Sequence, residues 1–250
     1  MIRSGCLILA FVLSAALVGR AEPAGAQTAV RRGYEALRDA VYNSEALPRQ
    51  QALYQDVREV LEEAVLAAGD RSLWRSRIEY LAARGFQAGG DKRRAVVHYE
   101  EGLAALEALR AEGAPSEAWR MTSECISQLC LLKGLGYVLA NGTKVAAYAE
   151  KALVLDPKNA AAKVIIAASK VYPPPVFGGN PSRGIELMRE ALAMGTAEQD
   201  DLFNIYSGIG LAYGKLRDLE EARRWLGKAL ELYPGNVYAR AEYGKLDSKA

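Results

Sequence analysis

Acid–base and nucleophilic chemistry in this chain would have to be built around one histidine, His98, with Cys6, Cys125 and Cys130 as its three thiols. A Ser–His or Cys–His nucleophile, or a metal centre using imidazole, has that single candidate. The carboxylate pairs Glu100-Glu101 and Glu220-Glu221 are adjacent in sequence, so on a helix they point to different faces and form no acid–base dyad. Glu220 and Glu221 can instead reach Arg224 as surface ion pairs worth tenths of a kcal/mol. Cys125 and Cys130 share one predicted helix, about 140° apart around its axis and roughly 7.5 Å along it. That is too wide for a disulfide, so both read as free thiols, and nothing nearby completes a metal site. Gly208-Ile-Gly210-Leu-Ala-Tyr-Gly214 has a spacing one residue too long for a dinucleotide loop, and no strand precedes it. Asn141-Gly142-Thr143 matches a glycosylation sequon, but Asn-Gly there reads as a helix stop. No catalytic residue, cofactor or metal ligand set is expected.

The 250 residues are half apolar and one quarter charged, with 32 basic against 30 acidic residues. That composition excludes wholesale disorder and a multi-span membrane protein. The near-zero balance carries no footprint for nucleic acid or an anionic membrane. Met1-Ile2-Arg3, the run Cys6–Val18 that only Ser14 interrupts, and Ala24-Gly25-Ala26 together read as a secretory signal peptide over residues 1–26, cut before Gln27. The alternative is an uncleaved N-terminal anchor. Export, to the periplasm or the outside, is the expected localisation, and no membrane span is expected in the mature protein.

The remaining residues must be positioned by helices, because apolar residues recur at helical spacing and no strand runs appear. Tyr206, Ile209, Gly210 and Tyr213 fall on one face of a first helix. Ala222, Leu226 and Ala229 fall on one face of a second, and Pro234 closes the unit. Small residues at Gly210, Ala222 and Ala229 let the two backbones approach. This pattern resembles the tetratricopeptide repeat (TPR), a helical hairpin of roughly 34 residues. Weaker copies lie upstream. One runs from Ser76 through Ala82, Ala83, Phe86, Ala95 and Tyr99. A second spans 126–159, with two registers open for its first helix. A third, 160–196, is interrupted at 172–180 by Tyr-Pro-Pro-Pro-Val-Phe-Gly-Gly-Asn. The expected organisation is therefore a leader (1–26), an N-terminal helical pair (27–70), about four TPR-like units (71–236) and a capping helix (237–250). The fold class is all-α, a TPR-like right-handed superhelix of antiparallel helix pairs.

The resemblance implies an inner surface drawn mainly from the first helices. On this chain it selects Tyr80 and Arg84 in the first clear unit. In the second it selects either a set containing Tyr137 or one containing Leu131 and Leu135. Val164, Ala168 and Val171 follow in the third, and Asn204, Ser207 and Leu211 in the last. Apolar side chains prevail, so an apolar groove with Tyr80, Arg84 and Tyr137 as polar handles is expected, unless the array curls tightly and buries these residues against each other. The same resemblance places His98 on an outward face as a solvated side chain. In the insertion, Pro174 and Phe177 are expected either to form a lip over the groove or to tuck Phe177 into the core. The implied function is a non-enzymatic exported scaffold binding a protein or peptide partner on its concave face. The alternative is a periplasmic carrier of a small apolar ligand. Exported bacterial TPR proteins, including the TPR partners of periplasmic TRAP-type transporters, are similar in this combination of features.

Overall fold

The computed structural model describes residues 23–111, 113–196 and 198–247. Up to Glu22, the expected leader lies outside them. Five antiparallel hairpins and a closing helix make up the described chain. The hairpins are α1 (Pro23–Tyr42) with α2 (Leu47–Glu63), α3 (Ala68–Ala88) with α4 (Lys92–Ala105), and, after the short α5 (Glu107–Ala111), α6 (Ser116–Leu132) with α7 (Leu135–Leu155). Then follow α8 (Ala160–Val171) with α9 (Pro181–Met194), α10 (Gln199–Lys215) with α11 (Leu219–Leu232), and α12 (Val237–Asp247). No strand occurs among the described residues. The protein is an all-α, TPR-like superhelix. The first helices α1, α3, α6, α8, α10 and α12 touch in succession and form the inner layer, while each second helix packs between two of them on the outside.

Local chemistry sets the helix boundaries. Asp91, Asn159, Asn180, Asp218 and Asn236 each accept a backbone N–H of the first turn of α4, α8, α9, α11 or α12, at 2.9–3.1 Å. Each such cap satisfies one of the donors a helix start leaves unpaired. In the best-formed repeat a Cβ on Gly210 would lie 2.7 Å from Leu226 Cγ and 3.2 Å from the Ala222 carbonyl, so the α10–α11 crossing needs glycine there. Leu37, Val57, Ile78, Leu81, Leu129 and Ile209 are buried between layers.

The second repeat departs from both registers read from the sequence. Its hairpin turn is at Lys133-Gly134, with Gly134 at φ 80°, where both registers had carried a helix through. Asn141-Gly142 is no helix stop either; α7 runs through it, with the Asn141 amide donating to the Tyr137 carbonyl at 3.2 Å.

The array also closes on itself. The turn after α1 meets the turn after α11: Tyr42 stacks on Tyr233 at 4.9 Å and meets Phe203 edge-on at 5.3 Å. Backbone N–H of Gly235 donates to Asn43 Oδ1 (3.1 Å), Asn236 Nδ2 to the Tyr42 carbonyl (2.6 Å), and Val237 N–H to Ser44 Oγ (3.2 Å).

Candidate binding site on the inner face

Closure divides the inner face into a filled part and an accessible part. The filled part is an ion network. Arg77 lies 3.2 Å from Glu117 and 3.7 Å from Glu198, and Arg38 lies 3.5 Å from Glu198. Arg120 is held between Glu117 and Glu124. Asp200 and Asp201 open α10 beside these arginines; burial, and then Asp200, pushes the Asp201 carboxyl up to about 7. Buried charges of this kind persist only when paired.

Two turns further along α3 the chemistry changes. Arg84 is partly exposed and its guanidinium carbon sits 5.8 Å from the Tyr42 ring. Asn204 of α10 donates to the Tyr42 hydroxyl at 3.4 Å, and Tyr80 packs on Tyr99 at 5.6 Å. Tyr172, at the end of α8, is 51% exposed, and Tyr238, on α12, is 47% exposed. Burial raises both hydroxyls above the ordinary tyrosine value, Glu242 adds to this and the Arg84 charge opposes it. Polar and aromatic side chains of α1, α3 and α10 thus meet on this stretch of the inner layer, where an apolar groove was expected.

The residues selected from the sequence separate accordingly. Tyr80, Arg84 and Asn204 belong to this stretch. Ser207 is buried beside them, its hydroxyl donating to the Asn204 carbonyl at 3.3 Å. Val171 is fully buried, and Val164, Ala168 and Leu211 pack half-buried in the α8–α10 core. Leu131 (72% exposed), in the last turn of α6, and Leu135 (73%) and Tyr137, which lies under Lys133 at 5.1 Å, in the first turn of α7 gather at the α6–α7 corner. Phe177 is 79% exposed, so it is not tucked into the core; Pro174 is exposed beside it. Three lining residues escaped the sequence reading: Tyr42, Tyr172 and Tyr238. They come from the end of α1, the insertion and the capping helix, none of which carries a repeat position.

His98 forms a second cluster, and it is not the solvated residue expected. Its Nδ1 lies 2.7 Å from Oε2 of the fully buried Glu79, with the ring stacked on Phe86 (5.1 Å) and edge-on to Tyr54 (5.2 Å). The Tyr54 hydroxyl (3.0 Å) and Arg58 (3.1 Å) also donate to Glu79. Burial alone would raise the Glu79 carboxyl, but His98, Tyr54 and Arg58 outweigh it and hold the group below the ordinary carboxylate value. Glu79, His98 and Glu101 bring three possible metal-ligand atoms within 4.8 Å of one another. Glu79, however, already accepts from three donors, one of them cationic, so the set fits an ion-pair pin joining α2, α3 and α4 better than a metal centre.

Residues 203–236 match the family model for the tetratricopeptide repeat. None of the curated proteins matches the chain. Among solved structures it is similar to a thermophilic TPR protein of Thermus thermophilus, with a TM-score of 0.50 and 18% identity over 88% of this chain and 98% of that one. It is also similar to a chain of the APC/C hetero-tetramer Cut9–Hcn1, with a TM-score of 0.51 and 14% identity over 93% of this chain and 38% of that one. At these identities the likeness is one of fold. The hairpin of α10 and α11 thus matches a tetratricopeptide-repeat unit in sequence, and the described chain shares the fold of a tetratricopeptide-repeat protein.

Proposed function

We propose that the mature protein is an exported, non-enzymatic scaffold that takes a protein or peptide partner on the accessible part of its inner face. The observation that carries this reading is the inner layer itself, where Arg84 lies against the Tyr42 ring and Asn204 reaches the Tyr42 hydroxyl, with the half-exposed Tyr172 and Tyr238 within reach of the Arg84 charge. Tyrosine and arginine dominate binding hot spots, since each supplies large contact area together with directed hydrogen bonds. Helical repeat arrays present such groups on a rigid preformed curve, which limits the ordering cost of association. The leader pattern of residues 1–26 supports export. A carrier of a small apolar ligand is not favoured. The apolar hollow under Leu37, Val41, Leu47 and Phe86 has a volume of about 10 Å³, room for a single water, and the larger one of about 610 Å³ is bordered mostly by polar side chains, among them Gln55, Arg58, Arg94, His98 and Glu101.

The test is photo-crosslinking in the producing cell with a benzophenone amino acid at position 172 or 238, and at position 154 as control, where Val154 projects outward at 80% exposure. A discrete protein adduct from the two inner positions and none from 154 is expected. Adducts from 154 alone would place the partner elsewhere.

A further inference from the structure

We infer that the loop between α8 and α9 attaches the protein to an anionic lipid surface, with Val176 and Phe177 entering the bilayer interface and lysines at the root of the loop meeting lipid phosphates. Val176 and Phe177 are neighbours, 84% and 79% exposed. From Pro173 to Gly179 no side chain carries a polar atom. The backbone is equally suited to an apolar medium. Of the eight backbone nitrogens from Pro173 to Asn180, three belong to proline and carry no hydrogen. Four more are bonded at short range: Phe177 and Gly179 donate to the Pro174 carbonyl at 2.9 and 3.1 Å, Gly178 to Pro175 at 3.0 Å, and Asn180 to Lys170 at 2.8 Å. Unpaired donors are what make irregular backbone costly in lipid, and this loop has few to leave behind. Its shape is also set in advance. A Cβ on Gly179 would lie 1.9 Å from the Pro173 carbonyl oxygen, so the loop closes tightly and presents both side chains at little ordering cost.

The charge around the loop complements an anionic surface. No residue from Val171 to Ser182 is charged, and Lys170 stands just before this stretch, in the last turn of α8. Lys215 Nζ reaches the Val171 and Tyr172 carbonyls at 2.6 and 2.8 Å, which uses two of its three donors and leaves the third for a phosphate oxygen. Among the described residues the lysines in ion pairs are Lys133, Lys163 and Lys245, not these two. Apolar side chains beside unpaired lysines are the combination that holds peripheral proteins on anionic lipid, and the near-zero charge of the whole chain averages it away. A protein partner fits the loop less well, since protein interfaces carry a hydrogen bond for every 100–200 Å² or so and the side chains from Pro173 to Gly179 can make none. The attachment is peripheral: no described helix is long and apolar enough to cross a membrane.

The test is co-sedimentation of the protein, as purified from its producing cell, with vesicles of phosphatidylglycerol and phosphatidylcholine in equal parts and with vesicles of phosphatidylcholine alone. Binding to the anionic vesicles is expected, about tenfold tighter than to the neutral ones. Phe177→Ala should weaken it by about tenfold and Lys170→Gln by about fivefold. Val154→Ala is the control: Val154 is 80% exposed on α7, and its loss should leave binding unchanged. Phe177→Trp should gain fluorescence quenching by brominated lipid beyond that of the unmodified protein, which places residue 177 in the bilayer by a readout that a folding defect does not produce. The inference is overturned if the unmodified protein ignores anionic vesicles, if it binds neutral ones equally well, or if Phe177→Ala binds as tightly as the unmodified protein. A benzophenone amino acid at position 177 that captures a protein, while vesicles leave the chain unbound, also overturns it and gives the loop to a protein partner. The inner-face reading is tested separately, by the crosslinks from positions 172 and 238.

Discussion

Glu79 sits inside the run Ile78–Phe86, which is buried along α3 except for Arg84, and it stays charged there because donors from two other helices reach it. Removing one member of such a cluster leaves the rest desolvated and mismatched, and this costs more than the pair itself contributes. Glu79→Gln is expected to lower stability by about 2 kcal/mol, read from urea unfolding midpoints. The exposed pair Arg183–Glu186, 2.7 Å apart with both side chains about half in water, should by contrast leave the unfolding midpoint almost unchanged on Arg183→Ala. The sign of the pH effect follows from the depressed folded value of Glu79. Its contribution is fully present above the unfolded value of about 4.3 and is lost as pH falls through the folded value below that. The stability gap between the unmodified protein and Glu79→Gln should therefore narrow between neutral pH and pH 3; a gap that stayed constant would mean that Glu79 is held by packing and not by charge. The sequence could not place His98 in this cluster. Spacing along α4 says which face a residue occupies, whereas the carboxylate opposite it belongs to another helix.

At the scale of elements, the insertion at 172–180 separates rigid backbone from free side chains. Asn180 N–H donates to the Lys170 carbonyl at 2.8 Å, and Gly178 and Gly179 N–H bond back to Pro175 and Pro174 at 3.0 and 3.1 Å. Lys215 of α10 donates to the Val171 and Tyr172 carbonyls at 2.6 and 2.8 Å. It thereby satisfies the α8 C-terminus with a cation where the helix dipole favours one. Phe177 contributes little to this anchoring. Phe177→Ala should leave the melting temperature within about 1–2 °C, whereas Lys215→Met should cost about 1–2 kcal/mol and speed amide exchange at the end of α8. The reverse order would mean that the exposed aromatic, and not the lysine, holds the loop. Legibility from sequence tracked how singular each signal was. The hairpin of α10 and α11 reads clearly because Gly210, Ala222, Leu226 and Ala229 admit one register and Pro234 fixes its end. The hairpin of α6 and α7 did not, because Leu131, Leu132, Leu135 and Val138 supply apolar residues on both sides of Lys133-Gly134 and let two helical registers run through a turn. Leu135, which one register reads as part of the first helix, instead opens the second.

For the whole molecule, the decisive contact joins Asn43 to Gly235, 192 positions apart, and the repeat pattern contains no information about it. A repeat specifies how each hairpin packs on the next. Whether the first meets the last depends on small rotations accumulated along the array, and Tyr42-Asn43-Ser44 carries no repeat signature. A tightly curled array was one of two outcomes open from the sequence, and curling has placed Tyr42 at once in the closing contact and against Arg84. Opening the clasp should therefore loosen the whole molecule and disturb the inner site together. Gly235 is where to do it, because a Cβ there would lie 2.3 Å from the Asn43 carbonyl oxygen and 3.2 Å from Asn43 Cβ. Both are backbone-proximal atoms that cannot swing aside. Gly235→Ala is expected to cost about 1–3 kcal/mol, to raise the radius of gyration in solution scattering, and to expose the buried Tyr42 amide to exchange. Gly227→Ala provides the control, since nothing lies within 4 Å of its added Cβ and alanine in a helix interior is favoured by roughly 0.5–1 kcal/mol. If Gly235→Ala destabilises the chain without enlarging it, the two turns pack for stability alone. If it enlarges the chain and abolishes the crosslinks from positions 172 and 238, then superhelical closure is what assembles the site.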